Sequence, residues 1–275
     1  MPANLADVST FTSPIVVPVD GDNRNAASVT PALQGLANRT AYLNNAVPNG
    51  SLDGASRVEL GGPTGSLIIS AIRSLVLGGY KLSSTGDLTV ALPVMSANTW
   101  WYAYLYDNGA HAIAVEIVSD PPDAGLVHKL TGGTTLDPTR RYVCALRCTA
   151  ASTARPFLKI GNRVTFRPSA DGGQNNYRAL NGGAAASWAN VALAAWLPPH
   201  ARLAAVRTRF HAADTVNALD FKTPGDSSET SDELYPATEA FGERTLITDT
   251  SQNIAYQVSG TGTLLYVFVA GYHEG

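Results

Sequence analysis

The side chains able to do chemistry are few and scattered. Five histidines, His111, His128, His200, His211 and His273, occur in 275 residues. No two of them stand at the i, i+2 or i, i+4 spacing that puts a pair of imidazoles on one metal ion. Asp220, Asp226, Glu229, Asp232 and Glu233 could include two carboxylates sharing acid and base work. Most of them fall in TPGDSSETSDE, Thr223 to Glu233, which has the composition of a solvated turn. Cys144 and Cys148 are the only cysteines. On one strand they lie about 13 Å apart at roughly 3.3 Å per residue, beyond disulfide reach. A CxxxC pair without neighbouring histidines is a poor zinc site, so both read as buried free thiols. Trp100, Trp101 and Tyr102 could stack on sugars, but on a strand they read as core or subunit interface, with Tyr104 continuing the set. Asn175-Asn176-Tyr177, in a polar loop, is a more plausible exposed aromatic contact. Nucleophile-elbow, zincin, phosphate-loop and dinucleotide-binding patterns are absent, and Gly260-Thr261-Gly262 reads as a hairpin turn. No catalytic residue, metal or cofactor is assigned, and the residues that would contact a receptor are not identifiable.

Strands must position whatever these residues do. Charged residues make up 15% and hydrophobic residues 45%, with 25 Gly and 16 Pro. That balance suits a β-rich chain with many turns. A net charge of −3 with no basic run offers no footprint for nucleic acid. No apolar run approaches the roughly 18 residues of a membrane helix. Met1-Pro2-Ala3-Asn4 lacks the regions of a signal peptide, so the expectation is a protein made in the cytoplasm that reaches the exterior by lysis or within a particle.

In Ser83 to Ser119, Leu88, Val90, Leu92 and Val94 alternate with Thr89, Ala91 and Pro93, the period of a half-buried strand. Trp100 to Tyr106, WWYAYLY, has no polar face and must be covered on both sides or packed on another subunit. Asp107-Asn108-Gly109 turns the chain, and Ile113, Val115 and Ile117 return it, which predicts a three-stranded antiparallel meander. Tyr142, Cys144, Leu146 and Cys148 share one strand face. Phe157 to Phe166 is the clearest hairpin, with a Gly161-Asn162 II′ turn. Asn49 to Gly62 reads as a link and the stretch from Pro122 to Asp137 as loop. Ser66 to Leu77 reads as strands, with a helix competing. Ser187 to Leu197, Arg202 to Phe210, Val216 to Phe221, Arg244 to Thr248 and Ile254 to Val258 add further strands. Thr263 to Tyr272 ends the domain, and its nearly all-apolar part, Thr263 to Ala270, reads as a central strand. About ten to twelve strands at sandwich-like spacing result. At the other end, Thr30 caps and Pro31 opens a helix that Pro48 stops. Val29, Leu33, Leu36, Thr40, Leu43 and Val47 follow a 4-3-4-3-4 spacing along it. This is either a short intersubunit seam or an ordinary amphipathic face. Residues 1–50 thus read as an arm and seam helix, and 51–275 as a β-rich domain with a possible sub-boundary near 168–186.

The run SANTWWYAYLY, the D-N-G turn, a strand, P-P-D-A-G and a later R-R-Y resemble the distal domain of tailed-phage tail-fibre and baseplate proteins. VPVDGDNRNAASVTPALQGLANRTAYL, Val17 to Leu43, is similar to the opening of many phage tail proteins. The two stretches cover roughly half of the chain. The resemblance implies a non-enzymatic virion subunit: a homotrimer with its seam at Val29, Leu33, Leu36 and Leu43. It would be attached to other tail or baseplate proteins and meet a host-surface glycan or protein. A stand-alone lectin-like carbohydrate-binding module is the alternative, although such a module has no use for an arm and seam helix. A polysaccharide-degrading tailspike would show β-helix repeats and carboxylate ladders, which are absent.

Overall fold

In the computed structural model the alternating stretches become antiparallel strands. The structure describes residues 52–274 apart from 63, 78–79, 151–152, 168–176, 212–217, 228–229, 233–238 and 260–261. The seam residues Val29, Leu33, Leu36 and Leu43, with the rest of the arm and helix, lie outside the described residues. Among the described residues there are 21 strands, every pairing is antiparallel, and no helix is long and apolar enough to cross a membrane. The mainly β, antiparallel class is as the alternation predicts. The strand count is higher, because short polar segments become strands when a distant partner supplies their hydrogen bonds. The link at 49–62 holds β1 (Leu52–Gly54) and β2 (Arg57–Leu60), and the loop after Pro122 holds β9 (His128–Thr131).

The largest sheet has nine strands. Its path is β19 (Glu239–Ile247), β16 (Leu203–His211), β21 (Leu264–His273), β13 (Arg163–Phe166), β12 (Phe157–Ile160), β2, β3 (Leu67–Ile69) and β6 (Leu88–Val90), with β14 (Arg178–Gly183) also on β21. The β12–β13 hairpin turns at Gly161, whose φ of 60° fits the first position of a II′ turn. Strand β21 is central, as its apolar run requires. One of its edges is taken by β16, and the other is shared by β13 and β14. At Gly271 the β13 backbone comes so close that a Cβ would sit 1.9 Å from the Val164 carbonyl oxygen. Only glycine permits that approach.

A five-stranded sheet follows the path β11 (Thr153–Ala154), β10 (Thr135–Ala150), β7 (Trp100–Asp107) and β8 (Ile113–Val118), with β9 on β10. The β7–β8 hairpin forms as read, but the meander does not. Strand β6 ends at Val90 and pairs with β3, and Val94 is 85% exposed. Pro93 has no N–H to give a ladder, and the other edge of β7 is occupied by the 16-residue β10. Two smaller sheets complete the molecule. One runs β1, β4 (Ile72–Leu77), β5 (Tyr80–Leu82); the other runs β15 (Ala189–Ala192), β20 (Asn253–Val258), β17 (Leu219–Lys222), β18 (Thr230–Asp232). The segment Ser187 to Leu197 is therefore strand only in part, and part of the acidic loop is strand β18. Strand β20 pairs with β15 and β17 and not with β21; Gly260 and Thr261, read as part of a hairpin turn, lie outside the described residues.

One apolar cluster runs from Val58 to Tyr272 and draws on all four sheets. The WWYAYLY strand is covered on both faces within its own chain. Ala103 and Leu105 point into the large cluster, while Tyr102 and Tyr104 pack with Tyr142 and Ala145 on the reverse side.

Candidate functional site

The reverse face of β7 is where polar side chains collect, and a bulge puts Tyr142 there. Opposite β7, Tyr142 pairs with Tyr104 and Cys144 with the next residue, Ala103, so Val143 is extra. The inserted residue reverses the alternation. Cys144, Leu146 and Cys148 stay in the main cluster, but Tyr142 turns away from them, contrary to the one-face reading of that strand. Its ring meets Tyr104 at 5.9 Å and His200 at 5.7 Å. Its hydroxyl donates to Oε1 of Glu274 at 2.5 Å. The other carboxylate oxygen accepts from Lys159 Nζ, which also donates to the Val143 carbonyl. His200 Nε2 stands 3.6 Å from Oε1.

Glu274 is 4% exposed, and burial by itself opposes its ionisation. The charge of Lys159, the hydrogen bonds from Lys159 and Tyr142 and the nearby His200 outweigh that and hold its carboxyl at about 2. Burial, with the charge of Glu274 adding to it, pushes Tyr102 up to about 12 and Tyr142 well above the ordinary phenol value. Held this way Glu274 is a weak base and Tyr142 a weak acid, so the cluster fixes a buried negative charge against a cation. Lys159 and Glu274 lie 115 positions apart, and no local spacing marks them.

The aromatic candidates are packed within the chain. Tyr102 and Tyr104 are buried, with the Tyr104 hydroxyl donating to the Asp120 carbonyl at 2.7 Å. Trp100 is half-buried, edge-on to Tyr272 at 6.3 Å and 5.5 Å from the Arg147 guanidinium. Trp101 is half-buried and donates Nε1–H to Thr99 Oγ1 at 2.9 Å. Tyr177 is also buried, stacked on Phe166 at 5.6 Å, and is not the exposed aromatic that its polar neighbours suggest. Among the described residues no group of three or more His, Cys, Asp or Glu side chains could hold a metal.

An exposed aromatic surface lies elsewhere, on the outward face of β19, β16 and β21. Phe241 is 71% exposed there. A hollow of about 290 Å³ is bounded by Phe241, Phe268, Arg207, Arg209 and Glu243. Arg207 Nε donates to Glu243 Oε1 at 2.5 Å, and the Arg209 guanidinium lies 5.6 Å from the Tyr266 ring. Alternation in β16, with Arg207 and Arg209 out and Thr208 and Phe210 in, builds this face. Its aromatic members come from β19 and β21, so only three-strand register assembles it. Comparison with protein-family models and with curated proteins finds no match for the chain.

Proposed function

We propose that this chain is a structural subunit of a tailed-phage virion, a tail-fibre or baseplate protein that takes part in attachment to the host surface. The resemblance of SANTWWYAYLY and of Val17 to Leu43 to phage tail proteins motivates the reading. The observation that carries it is the outward face of β19, β16 and β21. There, exposed Phe241 and two arginines surround a hollow on the sheet, which is the chemistry of a binding surface. The subunit is a homotrimer in this reading, joined through Val29, Leu33, Leu36 and Leu43, with neighbouring tail proteins holding the arm. A host glycan or surface protein is the partner at the β-rich end.

The test is adsorption. Purified protein added to host cells should slow phage adsorption, antibody to it should label tails in electron micrographs, and light scattering should give a trimer. Binding to cells without any labelling of particles would replace this reading with a lectin-like module acting alone. Neither binding nor labelling would overturn both. Leu36→Asp should weaken the trimer by placing a charge in the seam, and a stable monomer in the unmodified protein would remove the seam.

A further inference from the structure

A second cleft, of about 350 Å³, opens beside Tyr142 and Glu274. Strand β1 with Ala55 and Ser56 after it, and Leu126, flank it, and Arg141, Lys159 and Glu274 reach it. Its two cations are not equivalent. Lys159 is committed to Glu274 and to the Val143 carbonyl. Arg141 makes one hydrogen bond, from Nη1 to the Leu126 carbonyl at 3.2 Å, and its Nε is buried without an acceptor. Among the described residues no carboxylate lies within ion-pairing distance of it. Asp123, whose charge it feels, has Oδ1 committed to the Val127 and His128 amides at 2.7 and 2.9 Å. Glu274 is neutralised by its own donors. Leu126, whose carbonyl meets Arg141, is held at a φ of 54°, a left-handed conformation disfavoured for a branched side chain. A left-handed Leu126, an open cleft and a half-buried guanidinium that ion-pairs with no carboxylate among the described residues therefore coincide. Such a cation is unfavourable until an anion completes its fork of donors.

We infer that this cleft binds a small oxyanion, with Arg141 as its anchor. The volume falls in the range of sites for small ligands. A sugar carboxylate is the form that the attachment reading implies, and only the choice of a saccharide rests on that reading. The binding site itself stands on the cleft.

Purified protein is titrated with sodium glucuronate, with its uncharged methyl ester and with sodium sulfate. Binding is read by calorimetry and by the Arg141 Nε–H resonance. Glucuronate should bind and shift that resonance, and the ester should bind at least tenfold more weakly. Arg141→Gln should lose at least tenfold in glucuronate affinity, whereas Lys81→Gln, an exposed cation outside the cleft, should not change it. If Arg141→Gln does not fold, Arg141→Lys and the wild-type resonance carry the same test. Sulfate binding with no glucuronate binding keeps the oxyanion site and removes the saccharide. No shift with any anion, or affinity indifferent to Arg141, overturns the proposal. Because none of this uses phage or cells, failure here is separable from failure of the attachment reading.

Discussion

At the scale of single residues, the arrangement around Glu274 makes a quantitative demand. Its carboxyl is held at about 2 when folded against an ordinary 4.5. A carboxyl depressed on folding stabilises the protein fully above its unfolded value, and that contribution disappears as pH falls through the folded one. The contribution is on the order of 3 kcal/mol at neutral pH, from about 1.4 kcal/mol for each tenfold change in proton affinity. Glu274→Gln should cost somewhat more, roughly 3–5 kcal/mol, because Lys159 is left buried without its counter-charge. Urea unfolding at pH 7 gives the loss directly. Repeated between pH 5 and 2, it should show stability falling in the wild type and a flatter profile in the variant. Equal slopes in the two proteins would mean that Glu274 does not carry the charge described.

At the scale of the element, strand β10 decides the fate of the thiols. Cys144 and Cys148 both face the main apolar cluster and are both free. Burial pushes the Cys144 thiol up to about 12, Lys159 opposing and Glu274 assisting, and the Cys148 thiol donates to the Ala150 carbonyl at 2.9 Å. Alkylating reagents react with thiolates. Both cysteines should therefore stay unmodified in the native protein and react together once it is unfolded in urea. A reducing agent should leave the melting temperature where it is. A fall of several degrees on reduction would require a disulfide between chains. The spacing of the two cysteines already excludes a bridge along one strand, but the bulge at Val143 leaves no trace in the sequence. Tyr-Val-Cys-Ala-Leu-Arg-Cys alternates as well without a bulge as with one, and the choice is made by what lies across from it.

At the scale of the whole molecule, the parts legible in the sequence are those with short loops. The β7–β8 and β12–β13 hairpins announce themselves through Asp107-Asn108-Gly109 and Gly161-Asn162, where turn geometry fixes register locally. The burial of Tyr102 and Tyr104 follows from a strand that has no polar face. The pairings of β2 with β12, of β6 with β3 and of β10 with β7 are not legible, because side-chain periodicity says which face is buried and nothing about which strand lies alongside. The same holds for the candidate surfaces. Lys159 and Glu274, or Arg207, Phe241 and Phe268, become neighbours through long-range pairing, while the aromatic run that stands out in the sequence is spent on the interior.

The position of β21 along the chain has a further consequence. It is the shared neighbour of β13, β14 and β16, and it follows all three in the chain. As the polypeptide leaves the ribosome, those three strands emerge with their central seat empty, and their ladders toward it stay open until residues 264–273 are translated. Pairing this distant in sequence forms slowly and leaves open strand edges in the meantime. Nascent chains stalled before Leu264 should thus be cleaved readily by protease throughout residues 163–211, and chains stalled well beyond His273 should resist. Equal resistance in both would mean that the large sheet closes without its last strand. With the sheet open until its last strand arrives, the timing of synthesis matters as much as composition for how well this protein is produced, and slowing the final stretch of translation should raise the fraction lost to aggregation.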